Sequence, residues 1–174
     1  MKKTAIALSF LLITSCAAPT ADIAGILVSC TTLQTQNVAK PIELGCLDGS
    51  EGASINALRG PAIINVWGSW CAPCKEEMPI FRSFYAKAKG KLQLVGVDVE
   101  EASLKDGQEF VLKNGITWPN LFDSDGSSRA YFGMGVPVTW FIAADGSVAY
   151  KHIGVLKSEL ELITFTSKYL RVEL

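Results

Sequence analysis

The segment Trp70-Cys71-Ala72-Pro73-Cys74 follows directly on the apolar run Ala62-Ile63-Ile64-Asn65-Val66-Trp67, and that junction restricts the chain more than anything else in it. A short, continuous apolar run is the pattern of a buried strand. Two cysteines set two residues apart immediately after it place the first sulfur where a helix begins. Free backbone N–H groups and the positive end of the helix dipole favour a thiolate there. The second sulfur lies one turn further in, within reach of a mixed disulfide formed on the first. The arrangement reads as thiol–disulfide exchange chemistry.

Two plainer readings of the pair compete. A zinc site needs two further ligands of suitable spacing. The single histidine is His152, and Cys30 and Cys46 lie far upstream without a second close pair. No metal is expected. A purely structural bridge across so short a loop removes little entropy from the unfolded chain. Redox use of Cys71 and Cys74 is therefore the stronger reading, and it requires no cofactor.

Lys2 and Lys3 precede an apolar run from Ala5 to Ile13, which leads to Ile13-Thr14-Ser15-Cys16. A basic start, a short apolar stretch and small residues make a signal peptide over residues 1–15; a membrane span needs about 20 apolar residues. The junction resembles the bacterial lipobox, in which the cysteine, here Cys16, becomes the diacylated first residue. Two or more acyl chains make anchoring to the membrane stable. An ordinary signal peptide with Cys16 near the cut is the alternative. Residues 16–37 are small and polar around Ile26-Leu27-Val28 and read as a tether, partly packed onto the domain near Cys30; residues 38–174 form the folded domain.

With Lys2 and Lys3 removed, the 17 acidic residues outnumber the basic ones, of which the whole chain has 16. No basic run exists to neutralise phosphates, which argues against a nucleic-acid partner. About half of the residues are apolar, enough for one domain with a real core.

Along that domain, Ile42 to Leu47, Ala62 to Val66, Leu92 to Val99, Asn120 to Phe122, Val138 to Ala143 and Val148 to Ile153 read as strands. Asp145-Gly146 joins the last two as a hairpin. Helices are expected from about Cys74 to Lys89, with a bend at Pro79, from Ser103 to Lys113, and from Ser158 to Leu170. This order gives an α/β fold: a central mixed sheet with a parallel core and an antiparallel edge hairpin, flanked by helices.

These motifs resemble the thioredoxin fold, and more closely its TlpA/ResA/CcmG-like branch of exported or anchored thiol–disulfide oxidoreductases. The likeness is carried in order by Leu58-Arg59-Gly60-Pro61, Asn65 to Cys71, Lys75-Glu76-Glu77-Met78-Pro79, Val95 to Val99, Trp118 to Asp123, and Gly133 to Pro137. The resemblance implies that Cys71 is the exposed nucleophile and Cys74 the resolving thiol. It also implies that Pro137 is a cis-proline facing them, with Val136 presented to substrate. Trp70, Ala72 and Pro73 would form the rest of the docking face, while Trp67, Trp118, Trp140 and Phe132 belong to the core or its rim. Thioredoxin itself carries a buried acid six residues before its first cysteine, where this chain has Asn65. The ResA-like branch has a glutamate matching Glu77, one turn beyond Cys74, believed to assist proton movement. Glu77 as an ordinary surface charge like Glu76 is the alternative. Val138 and Thr139 follow Pro137 where CcmG-like members often carry an acid, which weighs against a role confined to cytochrome c maturation.

Cys30 and Cys46 are left over in an oxidising compartment. A bond between them would pin the tether to the first hairpin, although connectivity is not readable from sequence. His152 is assigned no chemistry. The expected protein is a membrane-anchored, extracytoplasmic oxidoreductase acting on protein thiols and disulfides, reset by a membrane thiol–disulfide electron donor. Ala72-Pro73 lacks the histidine of the most oxidising members, which favours reduction or isomerisation. The rivals are a dithiol oxidase of secreted proteins, a peroxiredoxin-like peroxidase and a copper-handling lipoprotein. The peroxidase would want a threonine shortly before a lone cysteine, and copper handling would rest on His152.

Overall fold

A computed structural model describes residues 24–133 and 135–174. Seven strands form one sheet: β1 (Glu43–Cys46), β2 (Ala53–Ser54), β3 (Ala62–Trp67), β4 (Gln93–Val99), β5 (Asn120–Asp123), β6 (Val138–Ile142) and β7 (Val148–Ile153). Their spatial order is β2-β1-β5-β4-β3-β6-β7. The centre, β5-β4-β3, is parallel, and both flanks are antiparallel. The expected edge hairpin is β6–β7. The opposite flank, where β1 pairs with both β2 and β5, adds a second antiparallel edge.

Among the described residues four α-helices flank the sheet: α1 (Ala72–Ala88), α2 (Leu104–Lys113), α3 (Arg129–Phe132) and α4 (Glu159–Phe165). A π-helical turn, Thr166–Leu170, continues α4. Helix α1 starts two residues earlier than the periodicity indicates, because Cys71 itself caps it and Pro73 suits a first turn. One face of the sheet carries Ile63, Trp67, Leu94 and Phe141 and packs against α1, α2 and α4. Trp67 stacks on Phe110 of α2 at a centroid distance of 4.6 Å, so its place is in the core as expected.

The other face carries Ile64, Val66, Val95, Val97 and Trp140, and the segment from Gly25 to Thr35 runs from α2 onto this face. Gly25 N–H donates to Leu112 O, and Ile26 N–H to Ile116 O. Cys30 is buried on this second face, Leu33 packs against it, and Thr35 bridges to Leu58. From Gly25 onward the segment is thus part of the domain. The physical reason is that β3 and β4 are apolar on both sides, and a sheet of that kind needs covering on both. A disulfide joins Cys30 to Cys46, with Cα atoms 5.9 Å apart. The expected signal peptide, the lipidation site Cys16 and the first part of the tether lie outside the described residues.

No helix among the described residues is long and apolar enough to cross a membrane.

Candidate active site

Strand β3 ends at Trp67, and Gly68-Ser69-Trp70 turns the chain into α1 at the carboxyl end of the parallel strands. Cys71 N–H donates to Gly68 O at 3.0 Å. Cys71 then caps the helix: its Sγ accepts the N–H of Cys74 at 3.1 Å. Cys71 and Cys74 form a disulfide. Cys71 retains 4% exposure and Cys74 none, so of the two residues only Cys71 keeps any access to solvent. A backbone N–H already aimed at Cys71 Sγ will stabilise negative charge there once the bond opens.

The Val136–Pro137 peptide is cis, as the resemblance implies for Pro137, and so is Gly60–Pro61. Pro137 is buried and Val136 half-buried. Trp70 stands 54% exposed, tethered by its indole N–H to Val99 O at 3.3 Å. It lines a groove with Val66, Val99, Arg129, Phe132 and Val136. Trp70 and Val136 therefore flank one depression. Ala72 and Pro73 occupy the exposed first turn of α1.

Glu77 is the decisive side chain. It lies on the buried stripe of α1 with Cys74, Met78, Phe81, Phe84 and Ala88, and is fully enclosed. Asn65 Nδ2 donates to its Oε1 at 2.8 Å, and Leu156 N–H donates to its Oε2 at 3.2 Å. Burial pushes its carboxyl up to about 7, although both hydrogen bonds pull the other way. Glu76, its neighbour, is exposed. The surface-charge alternative does not describe Glu77. A buried carboxyl that exchanges its proton near neutrality, one turn from Cys74, can act as acid or base for the thiols. Asn65, at the position of the missing thioredoxin acid, orients Glu77.

Two further carboxyls escaped the sequence reading. Glu101, just beyond β4, accepts from both the N–H and the hydroxyl of Ser69, the latter at 2.8 Å. It thereby holds the turn that carries Trp70 and Cys71. Asp98 is wholly buried at the end of β4, and neither oxygen has a hydrogen-bond partner. Burial first, then the Glu101 and Asp106 carboxylates, push it up to about 10, so it is neutral. In sequence, Asp98 shares the alternation of Leu94 and Gly96 on one face of an otherwise apolar strand.

Residues 35–151 match the family model described as the AhpC/TSA family. The chain belongs to the AhpC/TSA family. Among its curated relatives, the thiol-disulfide oxidoreductase ResA of Bacillus thuringiensis (strain Al Hakam) is 32% identical over 108 residues, 60% of this chain and 62% of that one. The thiol:disulfide interchange protein DsbE of Pseudomonas fluorescens biotype C is 28% identical over 155 residues, 83% of each chain. The crystal structure of StoA from Bacillus subtilis superposes with a TM-score of 0.62 at 28% identity, covering 75% of this chain and 99% of that one. The matched stretch spans just under two thirds of the ResA relative. Kinship and geometry agree on a thioredoxin-like thiol–disulfide oxidoreductase of the ResA/DsbE type.

Proposed function

We propose that this oxidoreductase works as a reductase of protein disulfides outside the cytoplasm, held to the membrane by lipid on Cys16. The observation that carries the reading is the enclosed Glu77 beside Cys74, because resolving a mixed disulfide requires Cys74 to lose a proton in a place water does not reach. The Cys71 thiolate attacks a substrate disulfide, forming a Cys71–substrate bond and expelling one substrate thiolate. Glu77 takes the proton of Cys74, whose sulfur then attacks Cys71. The Cys71–Cys74 disulfide forms, and the second substrate thiolate leaves. Substrate has gained two electrons and the enzyme has lost them. A dithiol partner at the membrane returns them, reopening the bond. Pro137 and Val136 frame the approach of the substrate segment opposite the sulfurs, and Trp70 supplies apolar contact.

The named relatives, ResA and DsbE, support the thiol–disulfide chemistry. The lipobox-like junction supports the anchor. The absence of histidine between the cysteines supports the reducing direction. Reduction of insulin by the dithiothreitol-reduced protein, with brief iodoacetamide labelling mapped by mass, tests the reading. We expect insulin to be reduced and Cys71 to label first. Labelling of Cys74 ahead of Cys71, or no transfer to insulin, would overturn it.

A further inference from the structure

The groove that Trp70 and Val136 flank has apolar walls, supplied by Val66, Val99 and Phe132, and a charged pair among its lining residues. Glu100 follows the end of β4 and Arg129 opens α3. Their half-exposed side chains form an ion pair. Glu100 has a φ of 58°, and among the described residues only it and Arg171 have positive φ without being glycine. That conformation is unfavourable for a residue with a Cβ and persists where its surroundings hold it. One residue earlier, Val99 O holds the Trp70 indole. The end of β4 is thus tied to Trp70 through its backbone and to α3 through the Glu100 side chain. Helix α3 is itself fastened, because the Asp123 carboxylate accepts both the N–H and the hydroxyl of Ser128. Phe132 then packs edge-on against Trp140 at a centroid distance of 5.0 Å.

We propose that this groove takes a large apolar side chain from the residue beside the substrate's disulfide cysteine, and that the Glu100–Arg129 pair sets this preference. Trp70 precedes Cys71 and Val136 precedes Pro137, so the groove is continuous with the redox site and its occupant lies close to the sulfur under attack. Trp70 is 54% exposed with its N–H already satisfied, so its ring gains from apolar cover. The charged groups lining the groove are engaged: Glu100 with Arg129, and buried Asp123 with Ser128. A charged substrate side chain entering there would lose water and meet no free partner. An apolar one excludes water from the ion pair and strengthens it. Glu100 and Arg129 act on binding alone and take no part in the thiol chemistry.

The inference rests on the proposed reductase function, so the test reads both. The reduced full-length protein is mixed with short peptide disulfides that differ only in the residue beside the cysteine: Phe, Ala, Glu or Lys. The second-order rate constant for reduction of each is measured on wild type, Glu100→Gln and Arg129→Gln. Ratios between peptides on one protein do not depend on the folded fraction. On wild type we expect Phe to exceed Ala by about tenfold, as partial burial of a phenyl ring implies, and to exceed Glu and Lys by more. Glu100→Gln frees the Arg129 guanidinium and should raise the Glu peptide relative to Phe by about two- to tenfold; Arg129→Gln frees Glu100 and should do the same for the Lys peptide. Equal wild-type rates for Phe and Ala, or variants that shift the Glu and Lys peptides alike, overturn this inference and leave the reductase reading standing. Failure to reduce any of the peptides overturns the reductase reading and this inference with it.

Discussion

Two disulfides of the same covalent chemistry sit in this domain in opposite circumstances. Cys71–Cys74 closes a sequence separation of 3 at a helix start, and Cys30–Cys46 closes one of 16 between the N-terminal segment and β1. Around the first, a backbone N–H points at Cys71 Sγ and an enclosed carboxyl that titrates near neutrality stands one turn away. Around the second, the near neighbours are backbone: Cys46 Sγ accepts from Cys30 N–H, and both sulfurs lie near Asn120 O. The one N–H on Cys46 Sγ is opposed there by carbonyl oxygens beside both sulfurs, which disfavour a thiolate. The lesson is that reactivity comes from the surroundings, whereas mechanical value comes from the length of chain that a bond closes.

The sharpest way to break this contrast is to disarm the first site without touching its sulfurs. Glu77→Gln should lower insulin turnover at pH 7 by at least about 10²-fold, the lower end of what general acid–base assistance supplies. A loss of under threefold would make Cys71–Cys74 no better equipped than Cys30–Cys46.

A second effect of Glu77 is on stability. Its folded value of about 7 lies above the ordinary 4.5, so the folded protein holds this proton more tightly than the unfolded chain. The neutral form's contribution is complete below about pH 4.5 and is lost as pH rises through 7. Between those limits wild type should lose roughly 3 kcal/mol that Glu77→Gln does not lose. Urea unfolding at pH 5 and pH 8 measures the difference. Parallel pH dependence in the two proteins would show that the carboxyl is not desolvated.

The mirror experiment is the double variant Cys30→Ser/Cys46→Ser. By the chain-entropy argument, opening this loop should cost about 3 kcal/mol of stability, read from denaturant midpoints. Turnover of the folded fraction should stay within about twofold of wild type. A large loss of turnover with little loss of stability would give the second bond a redox role. The smallest effect is expected of Glu76→Gln, which alters an exposed charge and should leave both readouts within experimental scatter.

Much of this was legible before any coordinates, and the residues show why. Strong local signals located β3, α1 and the β6–β7 hairpin: a continuous apolar run, a three-and-four-residue apolar stripe beyond the cysteine pair, and Asp145-Gly146. The redox pair came from spacing alone. Other features depend on what packs above a residue. Glu77 and Glu76 are equivalent as letters, and only the stripe shared with Cys74 and Phe81 separates them. The docking of residues 25–36 was underread because polar composition describes the segment, whereas the sheet face beneath it creates the demand for cover. Asp98, Glu101 and the Glu100–Arg129 pair depend on contacts between positions far apart in sequence, which a linear pattern does not carry.

The most direct measurement is a redox titration of the full-length protein in graded dithiothreitol buffers, with acid quenching, alkylation and mass mapping of both cysteine pairs. The account predicts that Cys71–Cys74 opens reversibly under mildly reducing conditions while Cys30–Cys46 stays closed until the protein unfolds. Opening of Cys30–Cys46 at the same or a milder buffer ratio would contradict it.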